Sequence, residues 1–269
     1  MDLDLLVLVL PAFVAGIMIA ATHAPLGLEV LKRGIVFMDL AVAQIAGLGM
    51  VGVLTWVHHP SAWLIQGVAL CAALLSAAVF RWIESVVPER QEAIIGTSFV
   101  VAASAAILVL QHHPHGGETL QHMVSGQLLF VTWMDVLKHA PIYIGIVLAW
   151  FLHPRWRSGL GFYSLFALAI TSSVQLVGVY VVFASLILPA LVAAGRSSAL
   201  RTAWSVGGLM MVLGCGSALF LDVPAGPMVV IVGSLVAVGY SSWGCGRGVG
   251  YFGSALGRSE EHTSELQSP

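Results

Sequence analysis

The sequence predicts an all-α fold, a polytopic bundle of about eight or nine membrane-spanning helices. Of its 269 residues, 58% are hydrophobic and 9% are charged, whereas a soluble globular domain carries roughly 25% charged residues. Apolar runs recur along the chain, and the basic residues divide unevenly between the loops that join them. These observations exclude a single soluble domain, an extracellular disulfide scaffold and a nucleic-acid-binding protein.

Nine apolar stretches are candidates for crossing the hydrocarbon core of a membrane, which is roughly 30 Å thick. They cover residues 4–24, 35–57, 61–83, 93–111, 135–153, 160–177, 178–194, 203–221 and 227–244. Together they predict one transmembrane domain over residues 1–245. The first stretch lacks the basic start of a cleaved signal peptide, so we interpret it as a retained span.

The region from 160 to 194 is predicted to be a broken or short helix pair. One uninterrupted apolar run extends from Gly159 to Gly195, which is too long for a single crossing and long enough for two short ones. We place the break between Val177 and Gly178. Broken helices of this kind occur in membranes where neighbouring protein satisfies the freed backbone groups.

The basic residues predict which ends of the helices face the cytoplasm. When Lys32 and Arg33 are placed in the cytoplasm, nine basic residues fall on that side and only Lys138 falls outside, as the positive-inside tendency requires. The other seven are Arg81, Arg90, Arg155, Arg157, Arg196, Arg201 and Arg247. The predicted topology has the N-terminus outside and the C-terminus in the cytoplasm.

The C-terminal residues differ from the rest of the chain. Residues 258–269 read RSEEHTSELQSP, which resembles the translation of a sequencing-library adapter, although a solvated natural tail is the alternative. Without them the counts of basic and acidic residues fall from 11 and 13 to equal numbers, because one arginine and three glutamates are removed. We leave this tail out of the functional argument and treat residues 246–257 as a short C-terminal segment.

A histidine-rich loop is the strongest candidate for a metal site. Four imidazoles and a carboxylate occur within eleven residues of a predicted outer loop: His112, His113, His115, Glu118 and His122. Neutral imidazole together with carboxylate is the ligand set that Zn²⁺ and neighbouring first-row ions favour. The alternative is a hydrated loop whose histidines only titrate or contact headgroups.

Asp39 is a second candidate because it lies inside the second predicted span. An acidic side chain within the membrane is costly and is treated as functional by default. Gln44 is the nearest polar residue along the chain, but the two directions differ by about 140° on an ideal helix. The structural alternative is an ion pair between Asp39 and Lys32 or Arg33.

Thr171, Ser172, Ser173 and Gln175 form a polar cluster within the long apolar run. Such groups either hydrogen-bond between helices or line a pathway, and structural packing is the simpler interpretation.

Enzymatic motifs are absent from the sequence. It contains no GxxxxGK[ST], no HExxH and no GxSxG, so neither a P-loop ATPase, a zinc protease nor a serine hydrolase is supported. The three cysteines lie in apolar stretches without CxxC spacing, which does not indicate a thiolate metal site. The sequence therefore predicts a protein that is not itself an enzyme and carries no tightly bound cofactor.

Five stretches make the sequence similar to the membrane permease subunits of bacterial ABC importers for zinc, manganese or iron. They are ATHAPLGLEVLKRGIVFMDLAVAQIAGLG at 21–49, ERQEAIIGTSF at 89–99, VSGQLLFVTWMDV at 124–136, VQLVGVYVVFASLILPALVA at 174–193 and DVPAGPMVVI at 222–231. The resemblance implies a permease homodimer in the inner membrane of a bacterium, two cytoplasmic ABC ATPases and an extracytoplasmic metal-binding protein.

The resemblance also implies roles for particular residues. A short cytoplasmic coupling helix that contacts the ATPase is expected within 190–201, with Ala194, Gly195, Arg196, Ser197 and Arg201 as its docking residues. Members of the family often carry an aspartate followed four residues later by histidine in the second span. Asp39 matches this pattern, but the later position is Ala43, and the next polar residue is Gln44.

Residues and resemblance together predict an ATP-driven importer of divalent transition metal ions, with zinc as the favoured cargo and alternating access as the mechanism. The alternatives are a permease for manganese, iron or a metal chelate, an ATP-independent metal carrier, a structural membrane protein, and a membrane redox subunit. Manganese prefers oxygen ligands, so the four imidazoles of the loop favour zinc.

Overall fold

The computed structural model describes residues 3–111 and 128–245. Within these ranges the chain is all-α, as predicted, with eight long helices and no strand. The helices are α1 (Leu3–Arg33), α2 (Met38–Trp56), α3 (Ala62–Val86), α4 (Gln91–Leu110), α5 (Trp133–Leu152), α6 (Gly159–Ala193), α7 (Ala199–Leu221) and α8 (Ala225–Cys245). All eight, in the described part of the chain, are long and apolar enough to cross a membrane. The C-terminal segment 246–257 and the tail 258–269 lie outside the described residues.

Most predicted spans agree with the helices to within a few residues, but the first span was predicted too short. The apolar pattern indicated 4–24, whereas α1 continues to Arg33 through Pro25 and Gly27. A proline inside a helix removes one backbone hydrogen bond, a cost that helix packing can offset in a bundle. Here α1 packs along both α6 and α7, and Gly27 lies directly against the Leu186 carbonyl group of α6.

Helix α6 is broken at Gly178, where the break was predicted. Gly178 has φ 80° and ψ 164°, a backbone conformation that is open to glycine alone. We call residues 159–177 α6a and residues 179–193 α6b. The break confirms that the 35-residue segment consists of two short helices.

The two halves of α6 fold back toward each other. The His23 ring contacts Ser173 Oγ of α6a with one nitrogen and Ser185 Oγ of α6b with the other, at 3.1 and 2.7 Å. Because the two ring nitrogens of an imidazole are about 2 Å apart, these oxygens lie within about 8 Å of each other, whereas twelve residues of a straight helix span about 18 Å. Both ends of α6 therefore lie toward the same end of the bundle.

Basic side chains gather at that end of the bundle, which we call the basic end. Arg33, at the end of α1, pairs with Glu84 of α3 at 3.4 Å and donates to the Arg157 carbonyl oxygen before α6 at 3.0 Å. Arg196, after α6, donates to the Tyr240 carbonyl oxygen of α8 at 3.4 Å. Lys138 is on the second turn of α5, far from the basic end. These contacts bring Arg33, Arg157 and Arg196 together as the predicted division requires, and Arg247 is not among the described residues.

The outer helices expose apolar side chains, and α6 is the centre of the bundle. Of the large side chains, Trp63 on α3 is 85% exposed and Phe220 on α7 is 89% exposed, while most of α6 is buried. A surface of this kind is suited to lipid. The buried centre of the bundle is therefore where a polar path would have to be built.

Candidate functional site

The centre of the bundle holds a hydrogen-bonded group of four buried side chains. His23 of α1 lies between Ser173 of α6a and Ser185 of α6b, and Tyr143 Oη of α5 lies 2.7 Å from Ser173 Oγ. All four side chains are at most 2% exposed. This group, which we call the His23 network, connects α1 and α5 with both halves of the broken helix.

The polar cluster of α6a divides into one bonded and several unpartnered residues. Ser173 belongs to the His23 network, as the packing interpretation expects. In contrast, Thr171 Oγ1, Ser172 Oγ and Gln175 Oε1 are buried and have no hydrogen-bond partner among the described residues. A buried polar group without a partner costs about 1–3 kcal/mol. The unpartnered atoms are what a polar path would need, so packing accounts for only part of the cluster.

Asp39 is the second polar feature, at the start of α2 near the basic end. Its side chain is 1% exposed, and neither carboxylate oxygen has a partner in the described structure. The structural alternative, a pair with Lys32 or Arg33, is not observed: Lys32 contacts Glu29, and Arg33 contacts Glu29 and Glu84. An unpaired buried carboxylate requires a proton or a cation.

Glu92 of α4 is close to Asp39 and was not predicted as a site residue. Its Oε1 accepts a hydrogen bond from the backbone N–H of Phe37, two residues before Asp39, at 3.1 Å. Its Oε2 is buried and has no partner among the described residues. The starts of α2 and α4 therefore bring two carboxyl groups with free acceptor oxygens into one region.

Gln44 does not join this region. It is half-buried on the same regular helix as Asp39, five residues along. The α2 backbone is not distorted between them, so the angle of about 140° expected from the sequence is retained. The carboxylate oxygens that accompany Asp39 in this region belong to Glu92 of α4 instead.

Comparison with known proteins assigns the chain to a family. The profile of the ABC 3 transport family matches residues 6–158 and 156–243. The chain belongs to this family. It is therefore the membrane permease component of an ABC transporter for metals.

Two solved structures share the fold of this permease. One is PsaBC from Streptococcus pneumoniae in complex with Fab, with 18% identity, 85% of this chain and 89% of that chain covered, and a TM-score of 0.66. The other is described as a metal-chelate type ABC transporter in an inward-facing conformation, with 16% identity, coverage of 84% and 83%, and a TM-score of 0.63. At these identities the similarity establishes the fold. A search of curated protein sequences finds no match.

The segment expected to hold the coupling helix forms a turn in this permease. Helix α6 ends at Ala193 and α7 begins at Ala199, so no separate helix fits between them. The chain reverses at Gly195, which has φ 73° and so favours glycine. We call residues 194–198 the α6–α7 turn. Within it Ala194, Gly195 and Ser197 are exposed, and Arg201 is exposed on the first turn of α7.

Arg196 differs from the other residues of the turn because it is held within the permease. Its guanidinium lies 5.3 Å from the centre of the Tyr240 ring and also donates to the Tyr240 carbonyl oxygen. A cation over an aromatic face is a favourable contact. Arg196 thus connects the α6–α7 turn to α8 and is less available to a partner than Arg201.

The predicted histidine loop cannot be compared with the structure. His112, His113, His115, Glu118 and His122 all lie outside the described residues. Among the residues that are described, no group of three or more His, Cys, Asp or Glu side chains could hold a metal ion. The metal role of the loop remains a prediction, and the two carboxyl groups at α2 and α4 are too few for a complete protein site.

Sequence reasoning missed His23 and Glu92. His23 lies within the first predicted span, 4–24, which is otherwise an apolar stretch. Its importance comes from Ser173 and Ser185, which are 150 and 162 residues away. Glu92 could have been noticed as a second acidic residue beside a predicted span, but nothing along the chain relates it to Asp39.

Proposed function

We propose that this permease is the membrane subunit of an ATP-driven importer of divalent transition metal ions, with zinc as its cargo and alternating access as its mechanism. The ATP would be hydrolysed by a separate cytoplasmic ABC ATPase, and an extracytoplasmic protein would deliver the metal. Two permease chains would form the path. The basic end would face the cytoplasm, with the N-terminus outside and the C-terminus inside.

The observation that carries the proposal is the buried, unpartnered carboxylate of Asp39. No cationic side chain compensates it in the described structure, because Arg33 is engaged by Glu29 and Glu84. A divalent ion passing this point would provide the missing charge, and Glu92 would share it. A metal ion cannot cross hydrocarbon unaided, so a path through the protein needs such groups.

A second cargo, manganese, is supported by the type of ligand near α2. Asp39 and Glu92 offer carboxylate oxygens, which Mn²⁺ prefers, whereas the histidine loop favours zinc. Uptake of radiolabelled zinc, manganese and iron should be compared in cells with and without the permease, each expressing its ATPase. Import of zinc in preference to manganese supports the assignment. Preference for manganese would correct the cargo, and the absence of any ATP-dependent uptake would refute the importer.

We expect the histidine loop to matter only when metal is scarce. Changing His112, His113 and His115 together to alanine should reduce zinc uptake at least about fivefold at limiting zinc, because the loop would capture metal for the path. At excess zinc the variant should match the unaltered permease. His58 and His59, both exposed in the loop between α2 and α3, provide a control when changed to alanine. Equal uptake by both variants at limiting zinc would contradict the role of the loop.

We expect Arg201 to contribute to ATPase binding through the α6–α7 turn. Arg201→Glu should lower the amount of ATPase that co-purifies with the permease by about tenfold, because an exposed cation at an interface is replaced by an anion. The same charge reversal at Arg90, which is exposed before α4 at the basic end, is the matched control and should have a smaller effect. Pull-down at low ionic strength measures both. Unchanged ATPase recovery with Arg201→Glu would place the docking site elsewhere.

A further inference from the structure

For a neutral imidazole, one arrangement of protons satisfies all four hydrogen bonds of the His23 network. Ser185 Oγ donates its only proton to the Val182 carbonyl oxygen at 3.0 Å, so it must accept from His23 Nδ1–H. In a neutral imidazole the other nitrogen, Nε2, is then an acceptor, and Ser173 donates to it. Ser173 has no second proton and therefore accepts from the Tyr143 hydroxyl group. Each O–H and N–H group in this series of hydrogen bonds, which begins at the Tyr143 hydroxyl group and ends at the Val182 carbonyl oxygen, donates once.

This network holds both sides of the α6 fold-back. Ser173 is five residues before Gly178 and Ser185 is seven residues after it, and the His23 ring is the side chain that bonds to both. Separating α6a from α6b would break at least one of these two contacts. The imidazole therefore connects the two short helices through hydrogen bonds to both of them.

The unpartnered polar atoms lie on α6a close to Ser173, one of the two partners of the His23 ring. Thr171, Ser172 and Gln175 surround Ser173 along α6a, and each has a buried polar atom without a partner among the described residues. Since buried polar groups are almost always paired in native proteins, these atoms are suited to a second arrangement in which they meet water or cargo. Opening the fold-back is the movement that would expose them.

The α6–α7 turn is connected to the network by a short helix. Ser185 precedes the end of α6b by eight residues, or roughly 12 Å of helix. Pro189 lies between them, and because proline has no backbone N–H, the helical hydrogen bond to the Ser185 carbonyl group is absent. The helix can therefore bend at Pro189, and a displacement of the α6–α7 turn can change the position of α6b relative to Ser185.

We propose that His23 is a positioning residue that latches α6a to α6b, and that release of this latch opens the polar path between the two halves during the transport cycle. The proposal rests on the proposed function, because the force on α6b comes from an ATPase at the α6–α7 turn. The latch consists of hydrogen bonds between neutral groups, which are individually weak and can be exchanged for water in each cycle.

Cross-linking in the assembled complex tests the proposal. Ser173→Cys and Ser185→Cys are combined in a permease whose Cys71, Cys215 and Cys245 are changed to alanine, and the complex with its ATPase is treated with ethanediyl bismethanethiosulfonate. We expect cross-linking without nucleotide and at least a fivefold decrease with ATP and vanadate. The cross-link should lower metal uptake below that of the untreated double variant, whose own hydrogen bonds to His23 are weakened, and a reductant should restore the level of that variant.

A control pair on a fixed contact distinguishes latch movement from general changes in reactivity. Ala20→Cys with Gly207→Cys joins α1 and α7, where a Cβ at Gly207 would lie 3.5 Å from that of Ala20. Its cross-linking should be the same in both nucleotide states. Equal cross-linking of the Ser173–Ser185 pair in both states would overturn the latch.

A second measurement applies if the cysteine pair fails to fold. His23→Leu should lower uptake at least tenfold while ATP hydrolysis by the complex continues, and His23→Gln, which retains a donor and an acceptor, should recover part of the uptake. Ser76→Ala removes a buried hydroxyl group that bonds only within its own helix and should have little effect. Normal coupling in His23→Leu refutes the latch, whereas no metal uptake by the unaltered complex refutes the proposed function instead.

Discussion

Asp39→Asn should reduce ATP-dependent metal uptake by more than tenfold while leaving the permease folded. The substitution keeps the size of the side chain and removes its negative charge, which in our proposal attracts the cation. Because Asp39 has no partner in the described structure, the change breaks no ion pair. Burying a neutral amide also costs less than burying an unpaired carboxylate, so we expect stability to be retained or increased.

The measurement combines uptake of labelled metal with thermal unfolding in detergent. Asp222→Asn is the matched control: Asp222 is exposed after α7 and has φ 53°, a conformation that asparagine also adopts readily. Its uptake should be unchanged. If Asp39→Asn transported metal normally, the path would not use this carboxyl group. Loss of uptake together with loss of folded protein would instead assign Asp39 a structural role.

Glu92 provides a second carboxyl group whose contribution to cation binding can be tested in the same way. If it shares the cation with Asp39, Glu92→Gln should lower the apparent affinity for metal less than Asp39→Asn, because one Glu92 oxygen already accepts from the Phe37 N–H. A loss in the double variant no larger than that of Asp39→Asn alone indicates one shared site. Additive losses from the two substitutions would indicate separate sites.

Gly27→Ala should destabilise the permease by about 3 kcal/mol, the upper range for overpacking. A Cβ at Gly27 would overlap the Leu186 carbonyl oxygen, and backbone atoms cannot move aside as a flexible side chain can. The close approach of α1 and α6b at this point is typical of helix packing in membranes, where small residues allow backbones to meet. Separating the two helices would also disturb the His23 network one turn away.

Thermal unfolding in detergent and the yield of monodisperse protein test this expectation. Gly216→Ala on α7 is the control, since a Cβ there meets nothing within 4 Å. Alanine is favoured over glycine within a helix by about 1 kcal/mol, so this variant should be as stable as the unaltered permease or more stable. Equal stability of Gly27→Ala would mean that α1 and α6b can separate without cost.

The two halves of α6 show how far local pattern reaches. An apolar run of that length must either break or exceed the membrane, and a glycine at its middle is where the break costs least. The length of the run and the position of the glycine can both be read from the segment itself. The structure confirms the break predicted between Val177 and Gly178. The side chain that joins the two halves, by contrast, is His23 of another helix.

The end points of helices are predicted less well from the local sequence pattern than their existence. The apolar pattern predicted a first span that ends at residue 24, but α1 continues nine residues further, to Arg33, and packs against α6 and α7. The resemblance implied a coupling helix within 190–201, where the chain has the end of α6, a turn and the start of α7. For α1 the continuation coincides with packing on two neighbouring helices, whose contacts are not encoded within the segment.

The sequence by itself determined that this protein is a helical membrane bundle, roughly where its helices lie and which ends carry the basic residues. These properties follow from hydrophobicity and length, which act residue by residue. Only the tertiary structure decided that Asp39 is left without a cationic partner, that Glu92 lies near it, and that His23 joins the halves of α6. Polar groups buried in a bundle find partners across helices far apart in sequence, so their pairing is a property of packing.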